Sequence, residues 1–235
     1  MGRVMQIVVL AGGLATRMRP RTETLPKALL DVAGRPFVDW QLELLARSGA
    51  TEVVMCVAHL ADMIRDHVGD GARFGLRVTY VEDRELLGTA GAVRGALAHL
   101  ADVFVVTYGD SYLPFDYGEP VRILSAHDDC DGVLAIYKNA GKWEVSNVET
   151  DGAWVLRYDK TSRDPKFDHV DYGAMALRRD VVAAWPPGKL GLDVVQHDLA
   201  ANRRLRACVA HERFYEIGSP GGLAELDSYL RKHSP

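Results

Sequence analysis

The stretch that decides the fold is Val8-Val9-Leu10-Ala11-Gly12-Gly13-Leu14-Ala15-Thr16-Arg17-Met18-Arg19-Pro20, followed by Pro26-Lys27-Ala28-Leu29. A short apolar run of the kind buried in a parallel strand ends in paired glycines, then delivers two arginines and, ten residues beyond the first, a lysine. Glycines let the backbone approach an anion closely, and Arg and Lys supply the countercharge, so the combination suits a polyphosphate. The bland alternative is a strand-end turn with solvated arginines, the reading we give Arg19 and Arg21. Neither G-x-x-x-x-G-K-[ST] nor G-x-G-x-x-G is present, which argues against kinases, GTPases and dehydrogenases.

Outward from this loop, apolar runs at Ile7–Leu10, Val53–Val57, Leu76–Val81 and Val103–Thr107 read as strands. Helices fall between them. One follows Pro36 with Val38, Leu42 and Leu45 on one face and stops at Gly49; a second carries Leu60, Met63, Ile64 and Val68; a third runs from about Thr89 to Leu100. The alternation predicts an α/β chain with a Rossmann-like mixed sheet flanked by helices. After Asp110 the pattern becomes α+β: a helix near Val121–Asp128, strands at Gly132–Tyr137, Trp143–Glu149, Ala153–Tyr158 and Tyr172–Leu177, an Asp151-Gly152 hairpin turn, and a helix from Pro220 to Leu230 capped by Ser219. With no linker between the halves, residues 1–235 read as a single domain, with lobes of about 1–115 and 116–235 and a cleft between them.

The chain has 235 residues, 48% hydrophobic and 26% charged, and 28 Lys and Arg against 32 Asp and Glu give a net charge of −4. Such a balance argues against nucleic-acid or membrane partners, which call for a strongly basic surface. Cys56, Cys130 and Cys208 are scattered and odd in number, as reduced thiols are. With no signal-peptide plan and no membrane-length apolar run, a cytoplasmic protein is expected.

On these residues the chain resembles the sugar-1-phosphate nucleotidylyltransferases, whose opening signature is L-A-G-G-x-G-T-R-[LM]-x-P followed by P-K-[AP]-[LM]. Further matches recur in order: Gly88-Thr89-Ala90-Gly91, Gly109-Asp110, Tyr158-Asp159-Lys160 and Tyr215-Glu216-Ile217-Gly218-Ser219-Pro220. One departure is Ala15, where the family usually has glycine. The resemblance implies the nucleotide-diphospho-sugar transferase fold: a lobe binding a nucleoside triphosphate and a smaller α+β lobe binding a sugar 1-phosphate.

The resemblance also assigns roles. Arg17 would clamp the leaving pyrophosphate, Lys27 the α-phosphate and Lys160 the incoming sugar phosphate, with Asp110 the fourth catalytic residue. Leu10, Ala11, Gly12, Gly13, Thr16, Gly88 and Thr89 would contact the nucleotide. Asn147, Glu149, Asp171, Tyr172 and Gly173 would read the sugar, and Asp110 with Glu216 would hold Mg²⁺. Glu82 and Asp83 could reach the base or stand as a solvated strand end. The expected substrates are GTP with mannose or D-glycero-D-manno-heptose 1-phosphate; a uridylyltransferase for an amino sugar or N-acetylmuramate 1-phosphate is the alternative. A homo-oligomer is left open, and the length leaves no room for the β-helix appended in some relatives.

Rivals from other classes are weaker. Gly109-Asp110-Ser111-Tyr112-Leu113 also matches the G-D-S-x-L block of serine esterases, but it follows the fourth strand and no histidine has Asp three residues before it. His127-Asp128-Asp129-Cys130-Asp131 reads as a polar turn rather than a metal site. A non-catalytic sugar-nucleotide-binding regulator would not need Arg17, Lys27, Asp110 and Lys160 together.

Overall fold

The computed structural model describes residues 5–13, 16–83, 85–139 and 141–233, leaving Ala15 and the Thr16 side chain outside the description. In chain order the strands and helices are β1 (Gln6–Leu10), β2 (Asp31–Val32), β3 (Arg35–Pro36), α1 (Phe37–Arg47), β4 (Glu52–Val57), α2 (Ala61–Val68), β5 (Arg77–Glu82), α3 (Gly88–Gly95), β6 (Val103–Tyr108) and β7 (Ser111–Tyr112). There follow α4 (Gly118–Ala126), β8 (Gly132–Lys138), β9 (Val148–Thr150), β10 (Val155–Tyr158), β11 (His169–Arg178), α5 (Arg179–Ala183), α6 (Leu192–Ala201), β12 (Leu205–Ala210), β13 (Tyr215–Glu216) and α7 (Pro220–His233).

Among the described residues nine strands form one mixed α/β sheet. Strands β6, β1, β4 and β5 lie side by side in parallel, and β11 runs antiparallel to β6 on one edge and to β8 on the other. Beyond β8 lies β12, while the β9–β10 hairpin joins through His169 of β11. Strands from before and after residue 115 therefore share one sheet.

The apolar runs look continuous because both faces are covered. Ile7, Val9, Val53 and Met55 face α1 and α2, meeting Leu42, Leu45 and Ile64. Val8, Val54 and Cys56 face the opposite layer, meeting Ala90 and Val93 of α3 and Val195 of α6. A third cluster joins Phe37 and Trp40 of α1 to Ile217, Leu226 and Leu230, so that α7 closes over the end of the chain that bears Glu216. Ser219 caps α7, its Oγ accepting the Gly222 N–H at 3.1 Å.

Several expected boundaries move. The stretch 143–147 is not a strand: the buried Asn139 amide donates to the Glu144 carbonyl, and its Oδ1 accepts the Trp143 N–H at 3.0 Å, bending the chain before β9 begins. Helix α4 starts earlier than expected because Asp116 Oδ1 accepts the Gly118 N–H at 2.8 Å. The helix expected up to Leu100 ends at Gly95 and gives way to a 3-10 turn over Leu97–His99. The Asp151-Gly152 hairpin stands as read, with Asp151 Oδ1 accepting the N–H groups of Ala153 and Trp154. No helix among the described residues is long and apolar enough to cross a membrane.

Candidate active site

Strands β1 and β6 are parallel neighbours with Leu10 opposite Tyr108, and the cleft opens at their carboxyl ends, where open α/β sheets receive ligands. The two exits are tied together: Gly109 N–H donates to the Leu10 carbonyl at 2.9 Å and Ala11 N–H to the Cys56 carbonyl at 2.8 Å. A Cβ on Gly109 would stand 2.9 Å from Ala11 Cα, so only glycine permits this crossing. From α1, Gln41 is 1% exposed and donates through Nε2 to the carbonyls of Tyr108 and Ser111, both at 2.8 Å. That strap straddles Asp110.

Asp110 and Glu216 are then joined by sheet register. Strand β7 pairs with β13, placing Glu216 opposite Ser111, and the Ile217 N–H donates to the Asp110 carbonyl at 2.9 Å. Lys27, on a 3-10 turn following Pro26, places Nζ 2.8 Å from Asp110 Oδ2; the two side chains are 17% and 28% exposed. Arg17 lies in the turn Thr16–Met18, and its Nη2 and the Glu216 carboxylate flank Gly218, 3.3 and 3.4 Å from where a Cβ on that glycine would stand. Lys160 is exposed beyond β10, within a turn organised by Asp159, whose Oδ1 accepts the Thr161 hydroxyl and the Thr161 and Ser162 N–H groups.

Glu144, an exposed residue on the wall of a second hollow formed by residues 141–146 and 162–167, is absent from the sequence reading. Burial, then the Glu216 charge, raises its pKa, with Arg17 opposing, Asp171 adding and Lys160 opposing. The signal in the sequence is an acidic residue between Trp143 and Val145, both of which are exposed.

The cleft, of about 480 Å³, is lined by residues that include Leu10, Ala11, Gly12, Gly13, Gly88 and Thr89. The glycine at 88 answers a demand of the chain itself: its φ is +78°, and a Cβ there would stand 2.7 Å from the Leu190 carbonyl oxygen. The first-turn amides of Ala90 and Gly91 donate to that same carbonyl, and Thr89 Oγ1 accepts the Leu192 N–H at 2.7 Å. Asp83 also lines the cleft, its carboxylate accepting the N–H groups of Glu85 and Leu87, whereas Glu82 pairs with Arg65 at 2.9 Å. Cys56 reaches the cleft as a thiol, because burial pushes its pKa up to about 12.

On the other side of β6, Asn147 Oδ1 accepts the Asp171 N–H at 2.9 Å. The Asp171 carboxylate accepts the Gly173 N–H at 2.9 Å, Gln196 Nε2 at 2.9 Å and the Tyr158 hydroxyl at 3.1 Å. Burial raises its pKa, and these donors with the Lys160 charge offset part of the shift. Asn147, Asp171 and Gly173 therefore come together. Tyr172 and Glu149, expected on the sugar, have their side chains spent elsewhere. Tyr172 is 1% exposed in an aromatic cluster with Phe115, Tyr137 and Phe214, because neighbouring residues of a strand face opposite sides. Glu149 pairs with Arg157 across the β9–β10 hairpin.

Asp129 and Asp131 of the polar turn are held by Arg206 and Arg204, and no group of three or more His, Cys, Asp and Glu among the described residues could hold a metal ion. Asp110 and Glu216 offer two hard carboxylates, the number Mg²⁺ takes from a protein when phosphates supply the remaining oxygens.

Residues 6–147 match the family model described as nucleotidyl transferase. The chain is 30% identical over 238 residues to a glucose-1-phosphate thymidylyltransferase of Streptomyces antibioticus, covering 95% of this chain and 65% of that protein. It is 36% identical over 163 residues to an N-acetylmuramate alpha-1-phosphate uridylyltransferase of Neisseria meningitidis, covering 68% of each. Its fold matches HddC from Yersinia pseudotuberculosis, solved with GMP-PN, at a TM-score of 0.78 and 22% identity over 97% of this chain and 100% of that one. The chain thus spans 65% of the thymidylyltransferase it matches, and by the match of residues 6–147 to the family model it belongs to the nucleotidyl transferase family.

Proposed function

We propose that the protein transfers a nucleoside monophosphate from a nucleoside triphosphate to a sugar 1-phosphate, releasing pyrophosphate. The observation that carries this reading is the β7–β13 register, which pairs Glu216 with Ser111 next to Asp110, while Asp110 holds Lys27 at 2.8 Å and both line the cleft with Gly12 and Gly13.

A phosphate oxygen of the sugar 1-phosphate attacks the α-phosphorus in line, and the bond from that phosphorus to the β-bridging oxygen breaks, its electron pair leaving with pyrophosphate. The nucleophile needs no general base, since a phosphate monoester with a second pKa near ~6 is already largely dianionic. The protein's work is positioning and charge neutralisation. Gly13 admits the phosphates closely: a Cβ there would meet nothing of the protein within 4 Å. Lys27 shifts from Asp110 to the α-phosphate, where charge develops, Arg17 grips the β- and γ-phosphates with its planar fork, and Lys160 holds the sugar phosphate. Mg²⁺ bound by Asp110 and Glu216 would neutralise phosphate charge.

For the base and sugar, we favour GTP with mannose or D-glycero-D-manno-heptose 1-phosphate, a reading supported by the resemblance of the Leu86–Gly91 segment and the Phe214–Pro220 run to guanylyltransferases. The relatives named for thymidylyl and uridylyl transfer keep the other bases in the test. A panel of four triphosphates against several sugar 1-phosphates, read by pyrophosphate release, should give Mg²⁺-dependent turnover with at least one pair. Tight nucleotide-sugar binding with no turnover for any pair would instead make the protein a regulator.

A further inference from the structure

Helix α6 touches both halves of the site. Its start is fastened to the nucleotide side: the Leu190 carbonyl, just before the helix, accepts the N–H groups of Ala90 and Gly91, and the Leu192 N–H donates to Thr89 Oγ1 at 2.7 Å. Leu192, Val195 and Leu199 share one buried layer with Ala90 and Val93 of α3, so the helix and the Gly88 segment form one packed unit.

One turn further on, α6 presents two neighbouring side chains to β10 and β11. Gln196, 2% exposed, donates through Nε2 to Asp171 Oδ2 at 2.9 Å. His197 donates through Nδ1 to the Tyr158 carbonyl at 2.9 Å, since a carbonyl only accepts. Tyr158 links the two, its buried hydroxyl donating to the same Asp171 Oδ2 at 3.1 Å. Gln196, Asp171, Tyr158 and His197 thus close a circuit of hydrogen bonds through α6, β11 and β10. Lys160 follows directly, and the intervening Asp159 N–H donates to the Asn147 carbonyl at 2.9 Å. The backbone is therefore held at both residues that precede the lysine.

Gln196 also carries a cost that packing does not explain. Its Oε1 is buried without a hydrogen-bond partner among the described residues, whereas a leucine of similar size would leave no orphaned atom of its own. What the amide supplies is the Nε2 bond to Asp171.

Resting on the proposed nucleotidylyl transfer, in which Lys160 holds the sugar phosphate, we infer that Gln196, Tyr158 and His197 are positioning residues: their circuit fixes the backbone that carries Lys160 relative to the nucleotide cleft. The lysine side chain is exposed and its stem flexible, so where it can reach is set by where its backbone is held.

The test opens the circuit with Tyr158→Phe, Gln196→Leu and His197→Leu, and restores it with His197→Asn, whose amide nitrogen can take the place of Nδ1. Tyr158→Phe removes a single oxygen and His197 lies at the surface, so these two carry the test if thermal melts show Gln196→Leu unfolded. Michaelis constants for both substrates are read by pyrophosphate release with the pair that the wild type turns over. Each opening should raise the sugar 1-phosphate KM about tenfold or more and leave the triphosphate KM within about twofold, and His197→Asn should return to within about threefold of wild type. In a Lys160→Ala background, Tyr158→Phe should add less than about twofold to the loss in kcat/KM, because it acts through that lysine. A sugar 1-phosphate KM unchanged in Tyr158→Phe and His197→Leu, equal rises in both Michaelis constants, or a full loss repeated in the Lys160→Ala background overturns the positioning role while leaving the transferase reading in place. So does a Lys160→Ala enzyme with wild-type kinetics. A wild-type protein that turns over no pair overturns the transferase reading, and this inference with it.

Discussion

Gln41 offers a quantitative test of how the fold positions Asp110. Replacing it by leucine keeps an uncharged side chain of similar length but removes Nε2, leaving the carbonyls of Tyr108 and Ser111 without that donor. An orphaned buried polar group costs about 1–3 kcal/mol, so the pair should cost about 3 kcal/mol. For a chain of this size that lowers Tm by about 6–12 °C. The loop from Tyr108 to Ser111 carries Asp110, and a displacement of about 1 Å at a reacting centre costs about a hundredfold; kcat in Gln41→Leu should fall by about 10–100-fold. Gln6 is the matched control. It is also buried, donates through Nε2 to the His99 carbonyl at 3.0 Å and accepts the Ala101 N–H at 2.7 Å, but it sits at the amino end of β1, away from the cleft. Gln6→Leu should lose comparable stability and keep kcat within twofold. Thermal melts give the stability loss, and pyrophosphate release at 20 °C, where both variants are folded, gives kcat. Equal kcat in the two variants would refute a positioning role for Gln41, and a Tm loss under about 2 °C would refute the cost assigned to its hydrogen bonds.

Lys27→Ala and Asp110→Asn should each lower kcat by about 10³-fold. Their Tm values should stay within about 3 °C of wild type, since a partly exposed ion pair contributes about 1 kcal/mol or less; wild-type rates in either would overturn the assigned roles. Gly88→Ala, which forces a Cβ toward the Leu190 carbonyl at φ +78°, should destabilise the protein by about 2 kcal/mol or more in urea titrations. Asp227 fastens α7 to the turn between β2 and β3, its Oδ1 accepting the Ala33 N–H at 2.6 Å, and the Arg231 hydrogen bond, then that N–H, hold its carboxyl below the usual range. A depressed folded pKa gives stability that is present above the unfolded value of about 3.9 and lost as pH falls through the folded one. The gap between wild type and Asp227→Ala in urea midpoint should therefore be full at pH 7 and narrow below about pH 4; a gap that widens on acidification would contradict the linkage.

The parallel half of the sheet was legible because residues such as Val8, Val9, Val53 and Val54 are buried from both sides, leaving apolar runs no loop would carry. The Asp151-Gly152 turn was legible for a local reason, an aspartate that bonds its own backbone. Helix α6 and strand β12 escaped notice. Val194, 55% exposed, interrupts the face made by Leu192, Val195 and Leu199, and β12 alternates small residues, Ala207 and Ala210, with arginine and cysteine. In the site, residue types were legible and partners were not. Gly88 stood out as a glycine, but the carbonyl that demands it lies about a hundred residues away at Leu190, and Asp110 meets Glu216 only through the β7–β13 pairing. Glu144 was hidden by a local propensity for strand that Asn139 overrides.

The most direct test of the proposed reaction follows the α-phosphate. Each of the four triphosphates, labelled at that position, is incubated with Mg²⁺ and mannose, heptose or glucose 1-phosphate. The expected result is label in a nucleotide sugar for at least one pair, with unlabelled pyrophosphate released one for one and the transfer slowed about 10³-fold in Asp110→Asn. Label that stays in the bound triphosphate for every pair, or emerges only as nucleoside monophosphate with no sugar attached, would contradict it.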